Sequence, residues 1–112
     1  MKGFVPDTGD LIWLDFDPQA GREQAGRRPA LVLSPAAYNA KVGLAILCPI
    51  TKHVKGYSFE VAAPSTGGLH GVILADHLKS LDWKVRRAEK LGDCPLTTLD
   101  EVRARIAPLL GF

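Results

Sequence analysis

The apolar residues of this chain come in short runs, and almost every run is stopped by a proline or a glycine. DLIWLDFDP (10–18) alternates, with Ile12, Leu14 and Phe16 on one face and Leu11, Trp13, Asp15 and Asp17 on the other, the period of a half-buried strand. ALVLS (30–34) is apolar on both faces and rich in strand formers, as a central strand is. LAILCPI (44–50) repeats that character up to Pro49, and YSFEVAA (57–63) alternates again through Tyr57, Phe59 and Val61. After the loop PSTGGLHG comes GVILAD (71–76), and HLKSLDWKVRRAEKL (77–91) continues as one or two strands.

Helical punctuation is confined to two places. SPAAYNAKVG (34–43) offers Ser34 as N-cap, Pro35 at the first helical position and Gly43 as a stop. TLDEVRARIAPLLG (98–111) sets Thr98 and Glu101 at capping-box spacing, with Leu99, Val102, Ile106 and Leu109 at helical intervals and Pro108 fraying the last turn. Parallel strands need a crossover between each pair, and two helices are too few to supply them. The order therefore predicts a small antiparallel β-barrel or tightly curled sheet of about five to seven short strands.

With 112 residues the chain can bury one sizeable core and is read as a single domain, 1–112. Hydrophobic residues at 46% and charged residues at 23% exclude a disordered or fibrous chain. A net charge of +2 is too weak to imply nucleic acid alone, so the placement of the basic residues matters more than their number. The N-terminus lacks the apolar stretch of a signal peptide, and no run approaches the roughly 20 apolar residues of a membrane span. Cys48 and Cys94 stand far apart without metal-ligand spacing, which points to a reducing, cytoplasmic setting.

EQAGRRPALVLSP (23–35) crowds Glu23, Gln24, Arg27 and Arg28 against the mouth of a predicted strand. A guanidinium is a planar fork of donors that stays charged at physiological pH, and so suits a phosphate. The same residues also read as a solvated loop in which Arg28 pairs with Glu23 or Asp15. Thr51, Lys52 and His53, with Lys55 close behind, could position and protonate a phosphodiester or could form a plain polar turn. His70 and His77 have no second ligand at a diagnostic interval, so no metal is expected, and GGLHG lacks the lysine of a phosphate loop. KSLDWKVRRAEK (79–90) gathers Lys79, Lys84, Arg86, Arg87 and Lys90 around Trp83, a footprint suited to single-stranded nucleic acid and equally to edge protection.

The order GDLIWLDFDP, EQAGRRPALVLSP, CPIT, KGYSFEV and GVILADHLKSLDW resembles the MazF/PemK family of toxins from bacterial toxin–antitoxin modules, over nearly the whole chain. The resemblance implies an SH3-like antiparallel barrel with one short helix and a C-terminal helix. It also implies a homodimer and a metal-independent, cofactor-free endoribonuclease that cuts single-stranded RNA (mRNA) at short motifs. Growth and translation would be inhibited, and a MazE-like antitoxin would neutralise the activity. Carried over by position, the catalytic arginine, threonine and helper glutamate fall on Arg28, Thr51 and Glu23. Gln24, Arg27, Lys52, His53, Lys55, His77, Lys79 and Trp83 are then candidate RNA contacts. Two departures stand out, since the family commonly has glutamine where this chain has His77, and position 53 is not usually histidine.

Two other readings compete. A CcdB-like toxin of the same barrel type would poison DNA gyrase without catalysis, and the EQAGRRP segment with Thr51 argues against it. A non-catalytic RNA-binding barrel would use the same basic residues and cut nothing.

Overall fold

The computed structural model describes residues 3–16 and 26–112. In chain order its elements are β1 (Asp10–Asp15), β2 (Arg27–Val32), α1 (Ala36–Val42), β3 (Ala45–Thr51), β4 (Glu60–Ala62), β5 (Val72–Leu74), β6 (Lys79–Leu81), β7 (Glu89–Asp93) and α2 (Leu96–Leu109). Two single 3-10 turns, Thr66–Gly68 and Ala75–His77, flank β5.

Every strand pairing is antiparallel, as the scarcity of helices predicts. The expected closed SH3-like barrel, however, is not formed. The strands make an open seven-stranded sheet that runs β4-β5-β3-β2-β1-β7, with β6 branching off β3, and helices complete a mixed architecture. The branching has a local cause, because β3 divides its length between partners. Ala45–Leu47 pair with β6, whereas Ile50 and Thr51 pair with β5. The Thr66–Gly68 turn packs against β7. A Cβ on Gly92 would stand 2.5 Å from the Thr66 side chain, and one on Gly67 would stand 2.7 Å from Leu91.

β1 is more buried than its alternation suggested, because apolar layers cover both faces of the central sheet. On one face Leu11, Leu31, Cys48, Ile50 and Ile73 meet Leu99, Val102 and Ile106 of α2. On the other, Ile12, Leu14, Ala30, Val32 and Leu47 pack with Phe16 and Trp83. Truncating one of the leucines, isoleucines or aromatic residues among these to alanine costs about 2–5 kcal/mol.

The helix boundaries differ from the sequence reading in their caps. α1 stops at Gly43, as expected, with the Gly43 N–H on the Asn39 carbonyl, but it begins after Pro35 with no side-chain cap. Ser34 is used elsewhere: its hydroxyl donates to Asn39 Oδ1 at 2.6 Å and accepts from the Ile46 N–H at 2.8 Å. Asn39 is fully buried and donates to the Pro6 and Ser34 carbonyls, so α1 is pinned by a satisfied polar group. α2 starts at Leu96, ahead of the expected Thr98 cap, and Pro108 lies within its last turn. Among the described residues no helix is long and apolar enough to cross a membrane.

Candidate active site

The charged segment before β2 is held by pairing rather than left in solvent. Asp15 and Arg27 are directly opposite in the β1–β2 register, a favourable cross-strand charge pair. Arg27 Nη1 donates to Asp15 Oδ1 at 2.9 Å, while Nη2 donates to the Arg87 carbonyl at 2.8 Å and to the Glu89 carboxylate. Arg87 Nε reaches the other Asp15 oxygen at 2.8 Å. The hydrogen bonds from Arg87, then those from Arg27, hold the Asp15 carboxyl below the usual carboxylate range.

Arg87 is delivered by the turn that separates β6 from β7. There Asp82 Oδ1 accepts the Lys84 and Val85 N–H groups, and Arg87 takes a φ of 55°. The dense basic cluster is thus a folded turn rather than a cationic strand face. Lys90 is also paired within the chain, to Asp10 at 3.3 Å and Asp93 at 2.8 Å.

Beyond this clasp, β2 and β3 carry the two central candidates outward together. Ala30 pairs with Pro49; two residues beyond that pair, Arg28 is opposite Leu14 of β1 and Thr51 is opposite Val72 of β5. Arg28 lines a cavity of about 200 Å³ with Trp13, Pro29, Ile50 and Lys52. Thr51 lines a second, of about 370 Å³, with His53, Lys55, Tyr57, Glu60 and His77. The end of β3 is therefore a partition between two clefts. Thr51 is 5% exposed and its Oγ1 accepts the His53 N–H at 3.1 Å. With that lone pair engaged, the hydroxyl proton is available to a ligand oxygen.

Glycine at position 71 is what allows the Thr51 backbone to sit where it does. Gly71 has a φ of 106°, and a Cβ there would stand 2.0 Å from the Thr51 carbonyl oxygen. Across the same cleft Glu60 accepts the Lys55 and Gly56 N–H groups at 2.9 and 2.8 Å, fixing the segment that carries His53 and Lys55. The Tyr57 hydroxyl donates to Asp76 at 2.8 Å. Burial first, and then that bond, push the Tyr57 hydroxyl up to about 12, so it remains a neutral donor at physiological pH. His77 Nε2 lies 3.9 Å from the same Asp76 oxygen.

The sequence candidates are distributed unevenly. Arg28, Lys52 and Arg27 gather at one cleft, and Thr51, His53, Lys55 and His77 at the other. Glu23 and Gln24 lie outside the described residues. Lys79, on β6, stands apart from both clefts with its Nζ 6.0 Å from the centre of the Phe16 ring. Trp83, expected to stack on bases, is 6% exposed and donates from Nε1 to the Asn39 carbonyl at 3.0 Å, so it is a core residue. Sequence reasoning missed Tyr57, Asp76 and Glu60, whose roles depend on pairing across the fold, and treated GGLHG as only a loop. Among the described residues no group of three or more His, Cys, Asp or Glu side chains could hold a metal ion.

Comparison with known proteins identifies the family. A family model described as the PemK-like, MazF-like toxin of type II toxin–antitoxin system matches residues 7–110. The endoribonuclease toxin MazF of Escherichia coli (strain K12) is 50% identical over 111 residues, covering 99% of each chain. A crystal structure of MazF from Deinococcus radiodurans superposes with a TM-score of 0.93 at 58% identity, over 98% of this chain and 100% of that one. A MazE–MazF crystal structure from the same organism gives a TM-score of 0.86 at 53% identity, over 98% and 99% of the two chains. On the family match and on identities of this level across essentially the whole chain, the protein belongs to the PemK-like, MazF-like family of type II toxin–antitoxin toxins.

Proposed function

We propose that Arg28 and Thr51 hold the scissile phosphate of a single-stranded RNA while its own 2′-hydroxyl attacks. The chain is an endoribonuclease toxin of its family, and the whole of it, 1–112, acts as one toxin domain. The assignment is supported by the β2–β3 pairing of Ala30 with Pro49, because Arg28 and Thr51 each lie two residues beyond that pair, at the adjacent ends of the two strands. The guanidinium neutralises charge developing on the non-bridging oxygens, and the Thr51 hydroxyl, anchored by the His53 N–H, donates to the same group.

Glu23 takes the 2′-hydroxyl proton, a role that rests on the family resemblance. Attack within one nucleotide supplies proximity without a metal, and the phosphodiester breaks to a 2′,3′-cyclic phosphate and a 5′-hydroxyl. Arginine is a poor proton donor to the leaving 5′-oxygen, so His53, His77 or water in the Thr51 cleft completes that step. Lys52 and Lys55 steer the strand, and cutting mRNA at a short motif arrests translation and growth. A MazE-like antitoxin neutralises the toxin, as the MazE–MazF structures of a relative support, and the active form is a homodimer, as the family resemblance implies.

The test is to incubate the purified protein with a defined RNA in EDTA and map the fragment ends. Cyclic phosphate and 5′-hydroxyl termini are expected, with cleavage reduced roughly 10²- to 10³-fold in Arg28→Ala. Near-normal cleavage by that variant rejects the assignment, and cleavage abolished by EDTA rejects the metal-free mechanism.

A further inference from the structure

The 3-10 turn Ala75–His77 continues β5 directly and brings an ionisable proton donor to the cleft that holds Thr51. β5 pairs with the end of β3, Ile73 against Ile50 and Val72 against Thr51, and the turn packs against the same strand. It is anchored on both sides. The Ala75 N–H donates to the Phe59 carbonyl at 3.1 Å, and the Cys48 thiol donates to the Ala75 carbonyl at 3.8 Å. His77 lines the cleft with Thr51, His53, Lys55, Tyr57 and Glu60. Its Nε2 lies 3.9 Å from Asp76 Oδ1, the oxygen that accepts the Tyr57 hydroxyl at 2.8 Å. A carboxylate held by Tyr57 thus faces one edge of the imidazole, and Nδ1 is the ring's second proton-bearing position.

The other groups around the cleft are less suited to giving up a proton. Glu60 is committed to the Lys55 and Gly56 N–H groups, and the Tyr57 hydroxyl, pushed up to about 12, is spent on Asp76. Lys55 and His53 are exposed, and among the described residues the His53 ring has no bonded partner to orient it. From α2, which packs against the same turn, Arg105 is turned to the Ser58 carbonyl and to Glu101. Arg28 lines the other cleft, and a guanidinium keeps its proton. We propose that His77 is the acid that protonates the 5′-oxygen as the P–O5′ bond breaks. Resting on the assignment of Arg28 and Thr51 above, the step balances. The 2′-oxygen bonds phosphorus and gives its proton to Glu23, the P–O5′ electron pair passes to the 5′-oxygen, and the His77 imidazolium proton follows it. Both side chains then exchange protons with water. Glutamine, common in the family at this position, has no such proton to give.

A sulfur leaving group tests the proton transfer, because a thiol is far more acidic than an alcohol and a 5′-thiolate departs without being protonated. The cut site is mapped in a short RNA, which is then remade with a single 5′-bridging phosphorothiolate at that site. On the oxygen substrate His77→Ala and His77→Gln should each lose about 10²- to 10⁴-fold in single-turnover cleavage, the range a positioned acid supplies. On the sulfur substrate both should match wild type. Asp76→Asn, which alters the carboxylate facing the ring, should show a smaller loss with the same rescue, which a purely structural role would not give. Wild-type cleavage of the oxygen substrate should fall as pH rises through the imidazole range, and cleavage of the sulfur substrate should not. Losses of equal size on both substrates, or no loss on either, overturn the proposal. Sulfur rescue of His53→Ala or Arg28→Ala in place of the His77 variants overturns it as well. Failure of the Arg28 assignment reads differently: Arg28→Ala would cleave both substrates at the wild-type rate while the His77 variants kept their sulfur rescue.

Discussion

Arg27 Nη1 lies 2.9 Å from Asp15 Oδ1, and Arg87 closes on the same carboxylate from the far end of the chain. One acid thereby joins the end of β1, the start of β2 and the β6–β7 turn. Arg28 is the next residue along β2, so its backbone is fixed by a neighbour whose own side chain is committed to Asp15 and Glu89. The clasp thereby positions the arginine proposed to hold the scissile phosphate.

Asp15→Asn should lower both the urea midpoint and the cleavage rate at neutral pH, without changing the fragment ends. The pH dependence follows from the direction of the shift. Asp15 has a folded-state value below its unfolded one, so its stabilising effect is present above about 3.9 and is lost as pH falls through the lower folded value. Urea midpoints of wild type and Asp15→Asn should differ at pH 7 and converge in the acid range below about 3.9. A constant difference down to the lowest pH measured would remove the ionised carboxylate from the account.

The separation of Thr51's two hydrogen-bonding roles can be read from a short series. Thr51→Ser retains the hydroxyl and should stay within about tenfold of wild type in single-turnover cleavage. Thr51→Val keeps the shape, loses the donor to phosphate and leaves the His53 N–H unsupported, so a loss of roughly 10²-fold is expected. Equal rates for the two variants would exclude the hydroxyl from the reaction.

How much of this could be read from the sequence depends on distance along the chain. The strands that carry Arg28 and Thr51 were legible from their short apolar runs, whereas the roles proposed for the two residues came only with the family resemblance. The antiparallel pairing was legible because helices are too few for crossovers. The clasp was not, since Arg87 is 72 residues from Asp15 and nothing local announces the pair. Barrel closure failed as an expectation because β4, β5 and β6 are each three residues long, and a 3-10 turn packs beside β7. Trp83 misled for a related reason. Cations surround it in sequence, while the Asp82 turn folds its ring inward onto the Asn39 carbonyl.

Gly71 should be irreplaceable for a reason specific to Thr51. In Gly71→Ala the new Cβ would meet the Thr51 carbonyl, and the backbone would also carry a strained φ, together costing about 1–3 kcal/mol. Gly43→Ala is the control: it shares a positive φ of 84° but has open space at its Cβ, so it should lose stability and keep cleavage. Urea unfolding and single-turnover cleavage on both variants separate the two effects. Equal activity in the folded fraction of each would mean that the Gly71 contact does not set the Thr51 geometry.

Salt dependence distinguishes cations that meet the RNA from those that hold the fold. Each phosphate neutralised on a single strand adds about 0.7 to the slope of log binding constant against log salt, because counterions are released. Lys52 is exposed at the rim of the Arg28 cleft, so Lys52→Gln should flatten the slope by about that amount. Arg27 is already balanced by Asp15 and Glu89, and releases no counterion on binding. Arg27→Gln should therefore leave the slope unchanged while weakening cleavage through Arg28. The measurement is binding of an uncleavable oligodeoxynucleotide across a salt series for both variants. A slope reduced by Arg27→Gln as much as by Lys52→Gln would return Arg27 to the list of phosphate contacts.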